Sequence, residues 1–585
     1  MPTALSPPPP TYLLGLNAYH GDAAAALYRH GELLAATEEE RMVRVKHWAG
    51  LPVEAVRFCL AEAGIGLQAV DVIAVSRNPM ARIGAKVRYA LSQGTLFNAV
   101  RDRVQNAFSI RSLKADLAAA FGLHERDLKA RVVYVEHHRS HLASAFFVSP
   151  FDTAALLSVD GMGDFSSVMR GVGRGNRIEV LDTVSYPHSL GIFYTAFTQL
   201  LGFPHYGDEY KVMGLSPYGQ PKYMDLLRDV VISRPRGLFE LNPKYFRHFR
   251  DGVSMSWNGG SPHVDPLFTR AMEQTFGPAR TPGEPLTDHH RHLAASVQRL
   301  CEEAVFRLAQ GLHDQTGLKN LCLAGGVAQN SVANGKLTDH TGFERLFVPP
   351  AGHDAGTAAG AALYHHHHTL RNPRAPFRHQ AYTGAQFGDE VVEALLRQRG
   401  IPFRRFDEED ALLEHVAERL AQGDVVGWFQ GRAEFGPRAL GNRSILANPA
   451  RPDARDLINA KIKRRESFRP FAPSILEEAV GAFFEKTDAV PFMEKVFAVR
   501  PDKRALIPAV THVDGTGRLQ TVAEADNARY YRLIKRFAAK TGVPILLNTS
   551  FNENEPMVNT PEQALACFLR TEMDGLVMGN LAIWR

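Results

Sequence analysis

The sequence predicts a two-domain α/β protein whose N-terminal part is an internal duplication with a cleft between its halves. Three observations carry this. The chain has 585 residues, more than one hydrophobic core usually supports, so two or three domains are expected. Two distant stretches share a pattern: "YLLGLNAYHGDAAAALYRHGELLAATEEE" from Tyr12 and "AALLSVDGMGDFSSVMRGVGRGNRIEVLDTV" from Ala154. Each reads as an apolar strand, a Gly-Asp turn, a second strand of small and apolar residues, a Gly-containing turn and a third strand. Finally, periodicity lapses at "RNPRAPFRHQAYTGAQ" from Arg371, which sets the domains at 1–372 and 373–585.

In chain order, each hairpin turn offers Gly and Asp where a backbone can approach a phosphate. "VEHHRSHLASAFF" from Val135 reads as a buried or half-buried helix. His137, His138 and His141 crowd into it, where a single histidine is usual. The segment from about Arg234 to Pro285 carries no interpretable motif; it either lines an acceptor pocket or packs on the two halves. "NLCLAGGVAQNSVANGKL" from Asn320 reads as a buried strand, the pair Gly325 and Gly326, and a helix bearing Asn330. Such a junction offers free N–H groups to an anion, although tight strand–helix packing explains it equally well. "VPPAGHDAGTAAGAAL" from Val348 sets Asp354 on a turn before a small-residue helix, which lets another backbone or a ligand come close. The run His365–His368 is expected to be a helix end or an exposed polar run rather than a metal site.

The C-terminal part holds arginines in Gly, Pro and aromatic settings. Arg432, Arg438 and Arg443 lie in "GWFQGRAEFGPRALGNRSILANP", Arg469 in "SFRPFAPSIL" and Arg518 in "HVDGTGRLQTV". A buried strand ends in Asn548, Thr549 and Ser550. Solvated charge faces lack this setting, and arginines held so suit two-pronged recognition of phosphate or carboxylate.

Composition narrows the classes. A hydrophobic fraction of 45% and a charged fraction of 22% are ordinary for a globular enzyme. A net charge of +5 without basic runs allows anionic small substrates without requiring nucleic acid. The four cysteines form no CxxC pair, so neither a disulfide framework nor a cysteine zinc site is expected. "MPTALSPPPP" is no signal peptide, and no window approaches the roughly 20 apolar residues of a membrane span. A cytoplasmic protein is expected.

Together, "NAYHGDAAAAL", "EEERMVRVKHWAGLP", "HHRSHLASAF", "SVDGMGD", "GDEYKVMGLSPYG", "AGGVAQNSVAN", "GRAEFGPRALGNRSILANP", "FRPFAP" and "LNTSFNENEPMVNTP" closely resemble the O-carbamoyltransferases of natural-product biosynthesis. Those enzymes serve nodulation-factor, cephamycin, novobiocin, tobramycin and saxitoxin-type pathways. The resemblance runs from about Gly15 to the C-terminus. It implies a duplicated actin-like ATPase domain (the ASKHA fold) followed by a YrdC-like α/β domain. It also implies that carbamoyl phosphate and ATP give a carbamoyl-adenylate, whose carbamoyl group passes to a hydroxyl of a small acceptor.

The resemblance makes His137 and His141 metal ligands together with Asp354, the ion being Fe2+ or another divalent cation such as Mg2+. Four residues apart, the two histidines share one helix face, whereas His138 points roughly 100° away. Matching positions assign Asp160 to the metal and phosphates, and Gly161, Glu209, Lys211, Gly325, Gly326 and Asn330 to ATP. Arg438, Arg469, Arg518, Asn548 and Ser550 are assigned to carbamoyl phosphate, where clustered positive charge would stabilise developing negative charge. His20 and Lys46 match positions near the transfer site, His20 being suited to take the acceptor's proton. The expected partner is a hydroxylated small molecule, with no nucleic acid and no membrane; a homodimer is compatible but not fixed. A threonylcarbamoyl-type tRNA modifier would want a broad basic surface. A hydrogenase-maturation carbamoyltransferase would carry paired cysteines. A non-catalytic actin-like protein would lack the metal ligands and the arginine set.

Overall fold

The computed structural model describes residues 11–92, 113–257, 260–374 and 381–585. The first expected hairpin pair is formed by β1 (Tyr12–Asn17), β2 (Ala24–Arg29) and β3 (Glu32–Glu38); β4 (Val72–Val75) and β5 (Arg131–Tyr134) complete a sheet of order β3-β2-β1-β4-β5. The second pair is formed by β6 (Thr153–Gly163), β7 (Ser166–Arg174) and β8 (Arg177–Ser185). Two short hairpins follow, β9 (Val231–Ser233) with β10 (Phe239–Leu241) and β11 (Met255–Ser256) with β12 (His263–Val264). Then β13 (Asn320–Ala324) and β14 (Arg345–Phe347) give a second sheet of order β8-β7-β6-β13-β14. In each sheet the first three strands are antiparallel neighbours and the last two run parallel to the first. The repeated order and directions make this a duplicated actin-like fold.

Small residues bring the two halves together. The helices His137–Phe146 and Gly356–Leu363 ("GTAAGAAL") cross where Gly360 has no side chain; a Cβ there would lie 1.9 Å from the Ser140 carbonyl oxygen. Close backbone approach of this kind needs glycine. It sets the beginning of one helix beside the loop that leads into the other, and both carry candidate ligands. Around the crossing, Leu142, Phe146, Ala358, Ala361 and Ala362 form a buried cluster shared by the halves.

The segment 234–285 packs on the second half. Phe239, Leu241, Tyr245, Phe246, Met272 and Phe276 are buried in that half's core. It also reaches the first half, where Gly260 O accepts from Ala49 N at 3.1 Å.

His365–His368 end a helix, as expected, on the π-helical turn Tyr364–Thr369. They are not an exposed run, because His365, His366 and His367 are buried. The wide turn engages three of the rings with two neighbours, Ile178 and Asn372. His368 Nδ1 accepts from Ile178 N at 3.1 Å, His367 Nδ1 lies 3.1 Å from Asn372 O, and His366 Nδ1 lies 3.2 Å from Asn372 Nδ2.

The expected boundary at 372/373 lies close to 375–380, which are outside the described residues. The C-terminal domain is α/β and is built on one mixed sheet. Its strands are β15 (Arg404–Arg405), β16 (Val426–Phe429), β17 (Arg443–Ala447), β18 (Ala472–Leu476), β21 (Gln520–Val522), β22 (Ile545–Ser550), β23 (Gly575–Met578) and β24 (Leu581–Trp584); β19 (Phe497–Ala498) and β20 (Thr516–Gly517) pair separately. The sheet order is β15-β24-β23-β16-β17-β22-β18-β21. The helix Ala528–Thr541 shows why its cover forms. Asn527 caps its start through Tyr530 N, Gly542 ends it at φ 72°, and Tyr530, Leu533, Ile534 and Phe537 face the sheet at helical spacing. All four cysteines are buried and free. Among the described residues, no helix is long and apolar enough to cross a membrane.

Candidate active site

Strand ends build the first centre. The helix His137–Phe146 begins directly after β5, with Glu136 as its cap accepting from Arg139 N at 2.8 Å. His137 and His141 therefore face one way at the cleft floor, and their Nε2 atoms lie 3.1 Å apart. His138 turns aside as expected and lies 2.7 Å from Ser158 Oγ; burial pushes its pKa down to about 3, so the ring is neutral. Asp160 sits near the end of β6 rather than on the turn proper, which is formed by Asp164 and Phe165 at φ 48° and 72°. Its Oδ2 is 3.1 Å from His137 Nε2, and its Oδ1 accepts from Gly326 N at 2.8 Å. Asp354 Oδ1 is 3.5 Å from His137 Nε2 and 3.3 Å from His141 Nε2.

The ligating atoms of His137, His141, Asp160 and Asp354 all lie within 4.8 Å of one another, and all four residues are buried. Burial alone would raise both carboxyls, but His137 and His141 hold Asp160 below the usual range, and His20 first, then His137 and His141, hold Asp354 below it. Asp354 Oδ1 is buried without a hydrogen-bond donor. Two imidazole nitrogens converging with two carboxylates on one point, one oxygen left unpartnered, fit a divalent cation. The expected set of three thus gains Asp160 as a fourth member.

The other residues expected here fall as follows. His20 Nδ1 lies 2.7 Å from Asp354 Oδ2. Gly325 takes φ 98°, where a Cβ would meet Val159 O at 2.2 Å, so the turn after β13 needs glycine. Gly161 O accepts from Ser189 Oγ at 2.5 Å. The Asn330 side chain is engaged on both sides. It caps the helix Ser331–His340 through Ala333 N and exchanges two 3.0 Å hydrogen bonds with Gln298. Glu209 accepts from Thr195 Oγ1 at 2.6 Å, and burial raises its pKa.

Lys46 and Lys211 belong with a second centre. Lys211 pairs with Asp208 at 2.8 Å and reaches Glu466 of the C-terminal domain at 3.7 Å. Lys46 is exposed in the cleft, yet the protein around it, with Arg469 and Lys211, lowers its pKa. Beyond them lie Arg438, Arg465, Arg469 and Arg518. Burial, then the fields of Arg438, Arg465 and Arg469, push the Arg518 guanidinium well below its ordinary range. Burial lowers Arg438 to about 10 and Arg465 to about 9. Among the described residues, the Arg438 and Arg518 guanidinium groups make no ion pair, and Arg518 Nε is buried without a partner.

Asn548 donates to Ala439 O at 3.2 Å and to Ser474 Oγ at 3.0 Å, so it braces the loop after Arg438. Ser550 Oγ lies 3.3 Å from Lys463 Nζ. Lys463 is buried, its Nζ donating to Ser550 O at 2.5 Å, Asn552 O at 2.8 Å and Asn552 Oδ1 at 2.6 Å, and burial, then Arg465, push its pKa well below the ordinary range. Lys463 and Arg465 escaped sequence reasoning because "KIKRRES" resembles a solvated basic run. The available signal was Ile462 and the "SFRPF" that follows. Arg432 and Arg443 are structural. Arg432 pairs with Glu62 at 3.1 Å. Arg443, fully buried, donates to the carbonyls of Gln430, Ala385 and Gly431 and lies 3.7 Å over the Phe429 ring.

One loop joins the centres. Gly436, two residues before Arg438, has φ 123°. Its N–H donates to Glu38 Oε1 and its carbonyl accepts from Arg41 Nη2, each at 2.7 Å. A Cβ at Gly436 would come within 2.4 Å of Pro350 O, in the segment leading to Asp354.

Residues 12–363 match the family description "Carbamoyltransferase N-terminus" and residues 417–585 "Carbamoyltransferase C-terminus". The chain is 41% identical to an uncharacterized protein of Synechocystis sp., over 98% of this chain and 96% of that one. It is 41% identical to nodulation protein NolNO of Sinorhizobium fredii, over 97% and 79% of the two chains. It is 30% identical to the 3'-hydroxymethylcephem-O-carbamoyltransferase of Amycolatopsis lactamdurans, over 72% and 74%. HypF of T. kodakarensis, a solved structure, shows a TM-score of 0.32 at 15% identity over 62% and 49%, too distant to add to the strand topology. Two matched family halves in order, with relatives of like length at these identities, make the chain a member of the carbamoyltransferase family.

Proposed function

We propose that the protein is a cytoplasmic, ATP-dependent O-carbamoyltransferase. It forms carbamoyl-adenylate from carbamoyl phosphate and ATP among the C-terminal arginines, then transfers the carbamoyl group in the N-terminal cleft to a hydroxyl of a small natural product. The observation that carries this reading is the group Arg438, Arg465, Arg469 and Arg518, in which Arg438 and Arg518 have no anionic partner among the described residues. Like charges held together are costly unless an anion completes them, and carbamoyl phosphate is such an anion.

In a balanced sequence, carbamoyl phosphate first loses phosphate to water. An oxygen of the resulting carbamate then attacks the α-phosphorus of ATP, and pyrophosphate leaves. Arginine forks would hold the phosphate and the charge that develops on it. In the N-terminal cleft, Gly325 and Gly326 would admit the nucleotide close to the backbone. A divalent ion held by His137, His141, Asp160 and Asp354 would supply polarisation of phosphate oxygens when bound. His20, whose Nδ1 lies 2.7 Å from Asp354 Oδ2, would receive the proton of the acceptor hydroxyl. That hydroxyl's oxygen then attacks the carbamoyl carbon, and AMP leaves.

The test omits the acceptor. Purified protein with ATP, a divalent metal and carbamoyl phosphate should yield carbamoyl-adenylate and pyrophosphate by mass spectrometry, both dependent on carbamoyl phosphate. Metal-loaded, folded protein that yields neither would refute the proposed activation step.

A further inference from the structure

Asp22 and His47 form a pair that no step above uses. Asp22 Oδ1 lies 2.8 Å from His47 Nδ1, and His47 N donates to Glu40 Oε2 at 2.8 Å. Both residues adopt left-handed backbone conformations, Asp22 at φ 57° and His47 at φ 54°, which are rare for side-chain-bearing residues and cluster at functional sites. The ring tip is confined: a Cβ at Gly207 would meet His47 Nε2 at 2.4 Å, and the Tyr206 ring stands edge-on 5.4 Å away. Nε2 itself has no hydrogen-bond partner among the described residues, and the side chain stays 30% exposed to the cleft.

A merely structural role explains this poorly. The two loops are already tied by Tyr19 N to Gly50 O and Ala23 N to Trp48 O, at 2.8 and 2.9 Å. The location is more telling. Asp22 lies in the field of His353 and Asp354, at the metal-ligand end of the cleft. His47 lies in the field of Lys46, which itself feels Arg469 and Lys211 at the other end.

We propose that His47, aimed by Asp22, is an anion-holding residue between the two centres. On this assignment its Nε2–H donates a hydrogen bond to the nucleotide α-phosphate during carbamoyl transfer. The assignment rests on the function proposed above. The charged groups facing the ring are Asp22, Glu40, Lys46 and Glu209. Although burial opposes it, Asp22 raises the His47 pKa to about 9, so near neutral pH the ring gives a hydrogen bond rather than taking a proton.

The probe is AMP, which carries the phosphate in question and requires no turnover. Calorimetry on the full metal-loaded chain should show AMP affinity falling about tenfold in His47→Ala at pH 7, and less in His47→Gln, which keeps a neutral donor. Wild-type affinity should fall between pH 8 and 10, and the His47→Ala profile should stay flat. Asp22→Asn should move the wild-type midpoint to lower pH. Equal AMP affinity in wild type and both His47 variants would overturn the proposal. So would loss of one divalent ion per chain in Asp22→Asn, since Asp22, Glu40 and His47 would then be a ligand set. Failure of wild type to form carbamoyl-adenylate would strike the function reading, while AMP binding would still report on His47.

Discussion

Gly436→Ala tests whether the two centres are mechanically joined. The residue sits at φ 123° with its would-be Cβ 2.4 Å from Pro350 O and 2.9 Å from Pro350 C. Ordinary contact begins near 3.4 Å, so the loop must retreat by 3.4 − 2.4, about 1 Å. The backbone strain costs about 1–3 kcal/mol, and the overpacking costs about 1–3 kcal/mol more unless relieved by that retreat. Retreat in turn lengthens the hydrogen bonds to Glu38 and Arg41, each worth about 1.5–3 kcal/mol as a charged contact. On either route the expected destabilisation is at least about 2 kcal/mol. Arg438, two residues on, moves with the loop, and a 1 Å misplacement of a positioning group costs about 10²-fold in rate. The assay is carbamoyl phosphate-dependent pyrophosphate release, read beside the thermal transition. A variant with wild-type melting and wild-type pyrophosphate release would refute the argument.

Other perturbations separate the two centres. His137→Ala or Asp354→Ala should strip the divalent ion, read as metal per chain, and abolish carbamoyl transfer. Arg438→Ala or Arg469→Ala should lower adenylate formation about 100-fold or more and leave metal content intact. Arg438→Lys should recover only part, because an ammonium cannot grip phosphate with a planar fork. Stability should fall in acid through His365, His366 and His368, whose pKa values burial lowers to about 4. Their folded values lie below the unfolded value near 6.5, so their contribution is intact above about pH 6.5 and is lost as pH drops toward 4. For buried His366 the loss reaches up to about 2 kcal/mol at pH 5. Denaturant midpoints at pH 7 and 5 should therefore differ less in His366→Gln than in wild type.

The fold was legible wherever local pattern and tertiary outcome agree. Both three-strand units follow from their turn chemistry, and the pairing of His137 with His141 follows from helix periodicity. Burial, which no local window contains, decided the rest. Arg438 and Arg443 are five residues apart in similar company, yet Arg443 is fully enclosed by carbonyls while Arg438 has no anion beside it. Lys463 reads as surface charge, but the strand end that solvates it lies 87 residues away at Ser550. The Asp22–His47 bond spans 25 residues between two left-handed positions, and no periodic signal records it. The histidine run differs from its expected exposure for a related reason: a π-helical turn buries its rings, setting His368 against Ile178 across the fold and His366 and His367 against Asn372.

The duplication leaves an asymmetry of sign. Superposing the halves by strand order sets His20, after β1, against Asp160, at the end of β6, and sets His137, after β5, against Asp354, after β14. The partners cross: His20 meets Asp354 at 2.7 Å and His137 meets Asp160 at 3.1 Å. The first copy supplies imidazoles and the second carboxylates, so the pseudo-twofold axis passes between opposite characters. Two identical copies would confront like with like there. Divergence of one copy toward nitrogen and the other toward oxygen at this boundary yields a mixed donor set to which both repeats contribute, and it makes the boundary between them the natural seat of a cation.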